Sequence, residues 1–234
     1  MNKRSTAIRR RTPKTSASYW ADIERSQQSD ISPAVRSNTR SRLLATALEV
    51  FAQQGFKATT MRDLAVAVGI KAPAIYNHFT SKEELLCEAL LWAMDHFNKL
   101  VLPEQEEDPD PLVRLHGILD RHLNYQFEHA MIARAFDTLT SSNGALLVQI
   151  GKRTSQEELK EKLRRYLNAV TAEVKSILER RPGDTLDSRY AARAITTMYD
   201  TVVRWYSAQS PAKDEKRKAA YWELTLRMLN VSNS

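Results

Sequence analysis

Between Thr60 and Lys82 the chain gathers Thr60, Arg62, Lys71, Tyr76, Asn77, His78 and Lys82, with Asp63 the sole acid among them. Hydrogen-bond donors and cations in such a run hold anions and polar edges, and they lack the paired nucleophile and base that bond breaking needs. The phosphates and base edges of double-stranded DNA match that chemistry. Thr60 and Lys82 stand at predicted helix starts, which are ready anion sites, and Arg62 and Arg40 lie close by, so these four are the expected phosphate anchors. Base reading falls to Lys71, Ala72, Pro73, Ala74 and Asn77. Lys71 can donate to guanine, whereas the alanines and the proline offer only apolar contact to thymine methyls. With so few polar readers, the shape of the DNA shares in the specificity.

Other reactive side chains are less organised. Cys87 shares a predicted helix with Glu83 and Glu84, whose charges oppose thiolate formation. His116, His122 and His129 follow one another at spacings of six and seven, which spreads them over helix faces that do not coincide. A glycine-rich phosphate loop and a G-x-S-x-G turn are both missing. The expectation is a protein that is not an enzyme and needs no metal or cofactor.

Two short helices around a glycine must position the donors. Leu64, Ala65 and Val68 fall at helical spacing, Gly69 stops that helix, and Ile75, Tyr76 and Phe79 line the next. A glycine at this point suits the tight turn of a helix-turn-helix, whose second helix enters the major groove. Thr60 is placed to cap the first of the pair with Asp63 three residues on, and Pro73 is tolerated in the first turn of the second. Upstream, Leu43, Leu44, Ala47, Val50 and Phe51 predict a helix over 40–54 that Gly55 ends. Downstream, Ser81 caps a long helix from Lys82 to about Leu102, with Glu83 and Glu84 in its first turn.

The strings LEVFAQQGF, ATTMRDLAVAVGI and KAPAIYNHFTSKEELL, spanning about Arg40 to Leu86, resemble the TetR family of bacterial one-component transcriptional regulators. Val68 departs from the alanine usual before the glycine, a small apolar change. The resemblance implies an all-α fold: a three-helix DNA-binding domain, then a helical body holding an effector pocket and a dimer interface. It adds Tyr76 and His78 as contacts to the phosphate–sugar backbone.

The whole chain fits this outline. Its +7 net charge is uneven: residues 1–39 carry eight basic and three acidic side chains, residues 40–82 six and two, leaving the remainder at −2. Phosphate docking therefore belongs to the N-terminal third. Residues 1–38 read as a basic arm without packed structure, which either follows phosphate or a minor groove or is a solvated tail. Arg9, Arg10 and Arg11 precede no apolar segment, so no twin-arginine signal is expected; no run reaches the ~20 apolar residues of a membrane span. A single cysteine suits a reducing cytoplasm. The expected division is an arm over 1–38, a DNA-binding domain over 39–85 and an effector-binding and dimerisation domain over 86–234.

Beyond the acidic stretch around 104–111 the pattern is helical throughout, with spans predicted over 111–129, 132–139, 145–181, 187–208 and 213–229. Ala191, Ala194, Ile195, Met198, Val202 and Trp205 make a stripe on one of these, and Tyr221, Trp222, Leu224, Leu226, Met228 and Leu229 make two apolar lines on the last. Two lines exceed what one core needs, so paired helices across a two-fold axis are the expected dimer interface, matching a pseudo-palindromic operator. Trp92, Phe97, Leu119, His122, Leu123, Gln126, Phe127, Phe136 and Tyr166 are the candidate effector lining, though each would serve an ordinary helical core as well. The segment TTMYDTVVRWYSAQSP looks like the matching stretch of relatives that answer to acyl-CoA or other hydrophobic effectors. The resulting expectation is a homodimeric, effector-released repressor. An effector-independent architectural DNA binder and an activator of the same fold remain the alternatives.

Overall fold

The computed structural model describes residues 39–102, 108–141, 153–181, 185–207 and 211–231, and the statements below concern these. The arm over 1–38, the linker at 103–107 and the start of the span predicted from 145 lie outside them. Every element among the described residues is a helix. They are α1 (Thr39–Gln54), α2 (Met61–Val68), α3 (Ala72–Tyr76), α4 (Lys82–Val101), α5 (Pro111–Glu128), α6 (Ala130–Ser141), α7 (Arg153–Glu179), α8 (Ser188–Asp200), α9 (Val202–Trp205) and α10 (Pro211–Met228).

One core forms around α1, whose Leu43, Leu44, Ala47, Leu48, Val50 and Phe51 are buried by Leu64, Ile75, Leu85, Leu86 and Leu90 from the three helices that follow and by Phe79 from the loop between α3 and α4. That core also takes in Ile132, Ala135 and Leu139 of α6 and Leu159 of α7. The boundary expected at 85/86 thus falls inside α4, and the first core continues into the body. A second core joins Val101, Leu115, Leu119 and Leu123 to Val170, Val174, Ile195, Tyr199 and Leu229. Helix α4 belongs to both, its first half in one and Phe97 and Val101 against the other.

Local signals account for the short elements. Thr60 and Asp63 form a reciprocal capping box, the Asp63 N–H donating to the Thr60 hydroxyl at 3.2 Å and the Thr60 N–H to the Asp63 carboxylate at 2.9 Å. Gly69 closes α2 at φ +78°, a left-handed conformation that frees its N–H to reach Ala65 and Val66 carbonyls. Asp110 caps α5 and Asp187 caps α8 through their carboxylates. The helix predicted over 187–208 is instead two, α8 and α9, meeting at Thr201, whose hydroxyl turns back onto the Met198 carbonyl at 2.9 Å.

Candidate nucleic-acid interface and internal cavity

The turn between α2 and α3 leaves a polar face outward. Ile75 and Phe79 are buried in the first core, while Lys71, Pro73, Tyr76, Asn77 and His78 are exposed, Tyr76 at 57%. Apolar anchors on one side of so short a helix force its remaining side chains into solvent, where a duplex could meet them. Ala74 is half-buried, and Ala72 packs against the core, which limits what either presents to a base. Thr60 and Arg62 are exposed at the start of α2.

Two expected phosphate anchors are occupied elsewhere. The Lys82 ammonium donates to the carbonyls of Phe56 at 3.0 Å and Thr59 at 3.2 Å, and lies 4.6 Å from the centre of the Phe56 ring. It ties the start of α4 to the loop between α1 and α2 rather than reaching outward. Arg40 pairs with Glu88 of α4 and lies over the Phe79 ring at 5.4 Å. Both expectations read cations from helix ends, and both miss partners far along the chain.

Helices α4 to α9 line a pocket of about 460 Å³ that is partly open to solvent. Met94, Phe97, Phe136 and Leu167 give it apolar wall, and His122, Gln126, Tyr166, Thr196, Asp200 and Arg193 give it polar wall. Its volume is that of a small-molecule site. Five of the candidate lining residues, Phe97, His122, Gln126, Phe136 and Tyr166, meet there. The other four do not. Leu119 and Leu123 point into the second core, Trp92 stacks on His96, and Phe127 stacks on Tyr206.

His122 organises the polar end. Burial holds its pKa down to about 3, so the ring is neutral. The Gln126 amide nitrogen contacts both His122 Nε2 at 2.8 Å and the Tyr199 carbonyl at 3.1 Å. Donation to that carbonyl fixes the amide as donor, so Nε2 accepts, and the ring proton sits on Nδ1, 2.6 Å from the Tyr166 hydroxyl. Asp200 faces Nε2 at 3.6 Å with its side chain 61% exposed; the surrounding protein and Asp137 push its carboxyl up, while solvent, Arg204 and Arg193 oppose that rise. Arg204 grips Asp137 at 2.8 and 3.0 Å. Sequence reasoning missed Arg193, Thr196, Thr197 and Asp200, although their spacing of three, four and seven residues draws a polar line along one helix face. Elsewhere His116 edges onto Trp222 and His129 onto His96, so the three spaced histidines do not converge. Burial, with Glu83 and Glu88, pushes the Cys87 thiol up.

Comparison with known proteins identifies the domain that carries this outward face. The profile of the bacterial regulatory proteins of the tetR family matches residues 43–89, the segment holding the capping box, the Gly69 turn and α3. Residues 43–89 therefore form a DNA-binding domain of the TetR type. Over 82 residues it is 37% identical to the HTH-type transcriptional repressor KstR2 of Mycobacterium tuberculosis, a match covering 35% of this chain and 41% of that protein. The chain therefore spans about two fifths of the length of that curated relative. A tetR-family regulatory protein from Rhodococcus RHA1 superposes with a TM-score of 0.70 at 23% identity, over 84% of this chain and 99% of the other. The structure of AibR in complex with isovaleryl coenzyme A and operator DNA superposes at 0.67 with 16% identity, over 80% and 97%. These two likenesses carry the TetR fold through the helical body.

The surface of the helical body sorts the residues expected at a dimer interface. Ala191, Ile195, Val202, Leu226 and Leu229 are buried within the single chain and have no surface to offer a partner. Met198, Tyr221 and Trp222 are half-buried, and Ala194, Trp205, Leu224 and Met228 are exposed. Part of each stripe is the inner face of the penultimate or last helix, which packs against the chain's own core. No described helix is long and apolar enough to cross a membrane.

Proposed function

We propose that the protein is a cytoplasmic, homodimeric transcriptional repressor that holds a pseudo-palindromic operator and leaves it when a small apolar effector enters the cavity. One observation carries the reading: α4 runs from the core of the DNA-binding domain to the wall of the cavity, where Ala93, Met94 and Phe97 line it. Thr60, Arg62, Tyr76 and His78 would hold phosphate and sugar, and Lys71, Pro73, Ala74 and Asn77 would face the bases. Ala194, Trp205, Leu224 and Met228 would meet the second copy, and a two-fold axis there would set the half-site spacing. AibR, whose structure contains isovaleryl coenzyme A and operator DNA, supports an amphipathic acyl-type effector by analogy. An architectural binder without an effector would have no use for a cavity of 460 Å³.

Selection of bound duplexes from a random pool by the full-length protein tests this. The expected product is a pseudo-palindrome. Binding without any motif, fading steadily with salt, would overturn the sequence-specific reading.

A further inference from the structure

Charged and neutral groups are segregated on the cavity wall. Arg164, Arg193, Asp200 and Arg204 are exposed, so these ions stand where solvent reaches them. The buried polar wall is His122, Gln126, Tyr166 and Thr196, and with the His122 ring held neutral it carries no charge at neutral pH. Hydrogen bonds along it run in one direction. The Gln126 amide nitrogen gives one proton to the Tyr199 carbonyl at 3.1 Å and the other to His122 Nε2 at 2.8 Å. His122 Nδ1–H then donates to the Tyr166 hydroxyl at 2.6 Å. This row ends in two unspent groups. Tyr166 has accepted, and no described residue takes its own O–H proton. Gln126, only 4% exposed, has an amide oxygen that meets no hydrogen-bond donor among the described residues. Thr196 cannot serve either, because its hydroxyl donates to the Arg193 carbonyl at 3.2 Å. A buried acceptor without a donor is costly, so a ligand that brings one is favoured over a ligand that does not.

We propose that the cavity takes an uncharged apolar molecule bearing a hydroxyl, whose O–H donates to the Gln126 amide oxygen and whose polar end accepts from the Tyr166 hydroxyl. The inference rests on the effector reading of the cavity and names the head group of that effector. Met94, Phe97, Phe136 and Leu167 supply apolar wall for the rest of the molecule. A hydroxyl is both donor and acceptor, the two functions that the row leaves open. An ester or thioester carbonyl would accept from Tyr166 and leave Gln126 unpaired. A carboxylate likewise only accepts, and among neutral buried groups it loses the hydration of its charge. An ammonium donates but has nothing with which to accept from Tyr166.

Calorimetric titration of the full-length protein tests this, with straight-chain alcohols from hexan-1-ol to decan-1-ol, their isomeric methyl ethers and the matching carboxylates as probes. An ether of equal size accepts from Tyr166 and offers Gln126 nothing. The expected result is an alcohol bound at least about fivefold more tightly than its ether and its carboxylate. Gln126→Met removes the amide oxygen, so alcohols and ethers then bind alike. Tyr166→Phe removes a donor that both series use, so both weaken and their ratio stays. The wild-type ratio carries the test if Gln126→Met fails to fold. Ethers or carboxylates bound as tightly as alcohols overturn the hydroxyl inference while the cavity keeps its effector role. Failure of all three series to bind overturns the two readings together.

Discussion

Replacing Lys82 by methionine separates two roles that one lysine at a helix start can play. Its ammonium makes two good bonds to carbonyls, at 3.0 Å from Phe56 and 3.2 Å from Thr59, and stands 4.6 Å from the centre of the Phe56 ring. A charged donor contributes roughly 1.5–3 kcal/mol per bond in a buried setting and a surface cation–π contact about 0.5–1. Lys82 is half-exposed, so screening brings the sum down to about 2 kcal/mol, the methionine retaining the aliphatic packing. In a chain of this length that lowers the melting temperature by about 4–8 °C. The assay pairs thermal unfolding with operator affinity measured across a salt series. The expected outcome is a lowered melting temperature with an unchanged slope of log affinity against log salt. A lysine that neutralises one phosphate in each copy of the dimer would instead, on removal, make that slope shallower by about 0.9 per copy. An unchanged melting temperature with a shallower slope would refute the assignment and return Lys82 to the DNA.

Other perturbations probe the remaining elements. Gly69→Ala places a Cβ that meets nothing within 4 Å, so its cost is the left-handed backbone alone, about 1 kcal/mol net, read as a lower urea midpoint. His122 is held neutral by burial, down to about 3, so the unfolded chain gains a proton there first. Its folded pKa lies below its unfolded one, and stability is therefore lost as pH falls below about 6.5, by at most about 1.4 kcal/mol per unit; His122→Gln should flatten that acid limb in unfolding curves. Leu224→Glu combined with Met228→Glu places charge on exposed apolar surface of the last helix, and sedimentation should show a monomer that keeps its helical signal.

Legibility followed the range of the interactions. Thr60 with Asp63, Gly69 and Ser81 act within a few residues, and their spacing alone located the turn and the helix starts. The Arg40 partner lies 48 positions away and the Lys82 partners 23 and 26 away, so no local pattern could assign those cations. The apolar lines of the last helices were visible, but periodicity does not say which line meets the chain's own core and which meets solvent. The same limit divided the aromatic candidates. Phe97 and Phe136 line the cavity while Phe127 stacks on Tyr206, a difference set by helix packing rather than residue type. The break at Thr201 was missed because a β-branched residue with a back-bonding hydroxyl is tolerated in many unbroken helices.

Helix α4 is not the sole connection between cavity and DNA face. Its start is fastened by Lys82, and its end by Asn98, which donates to the Lys162 carbonyl at 3.0 Å, and by Arg121, which donates to the Val101 carbonyl at 2.8 Å. A helix held at both ends transmits a push on Phe97 as a tilt rather than absorbing it. Helix α6 supplies a second path, since Ile132, Ala135 and Leu139 bury into the core of α1 while Ala133, Phe136 and Thr140 look into the cavity. The two sets are one residue apart, on neighbouring faces about 100° around the helix, and Phe136 itself packs against the first core, so a ligand that displaces Phe136 touches the packing around α1. A ligand can shift the DNA-binding state only by as much as it favours one packing over the other. Two helices sharing both cores give an occupant of the cavity two sets of contacts through which that preference can arise.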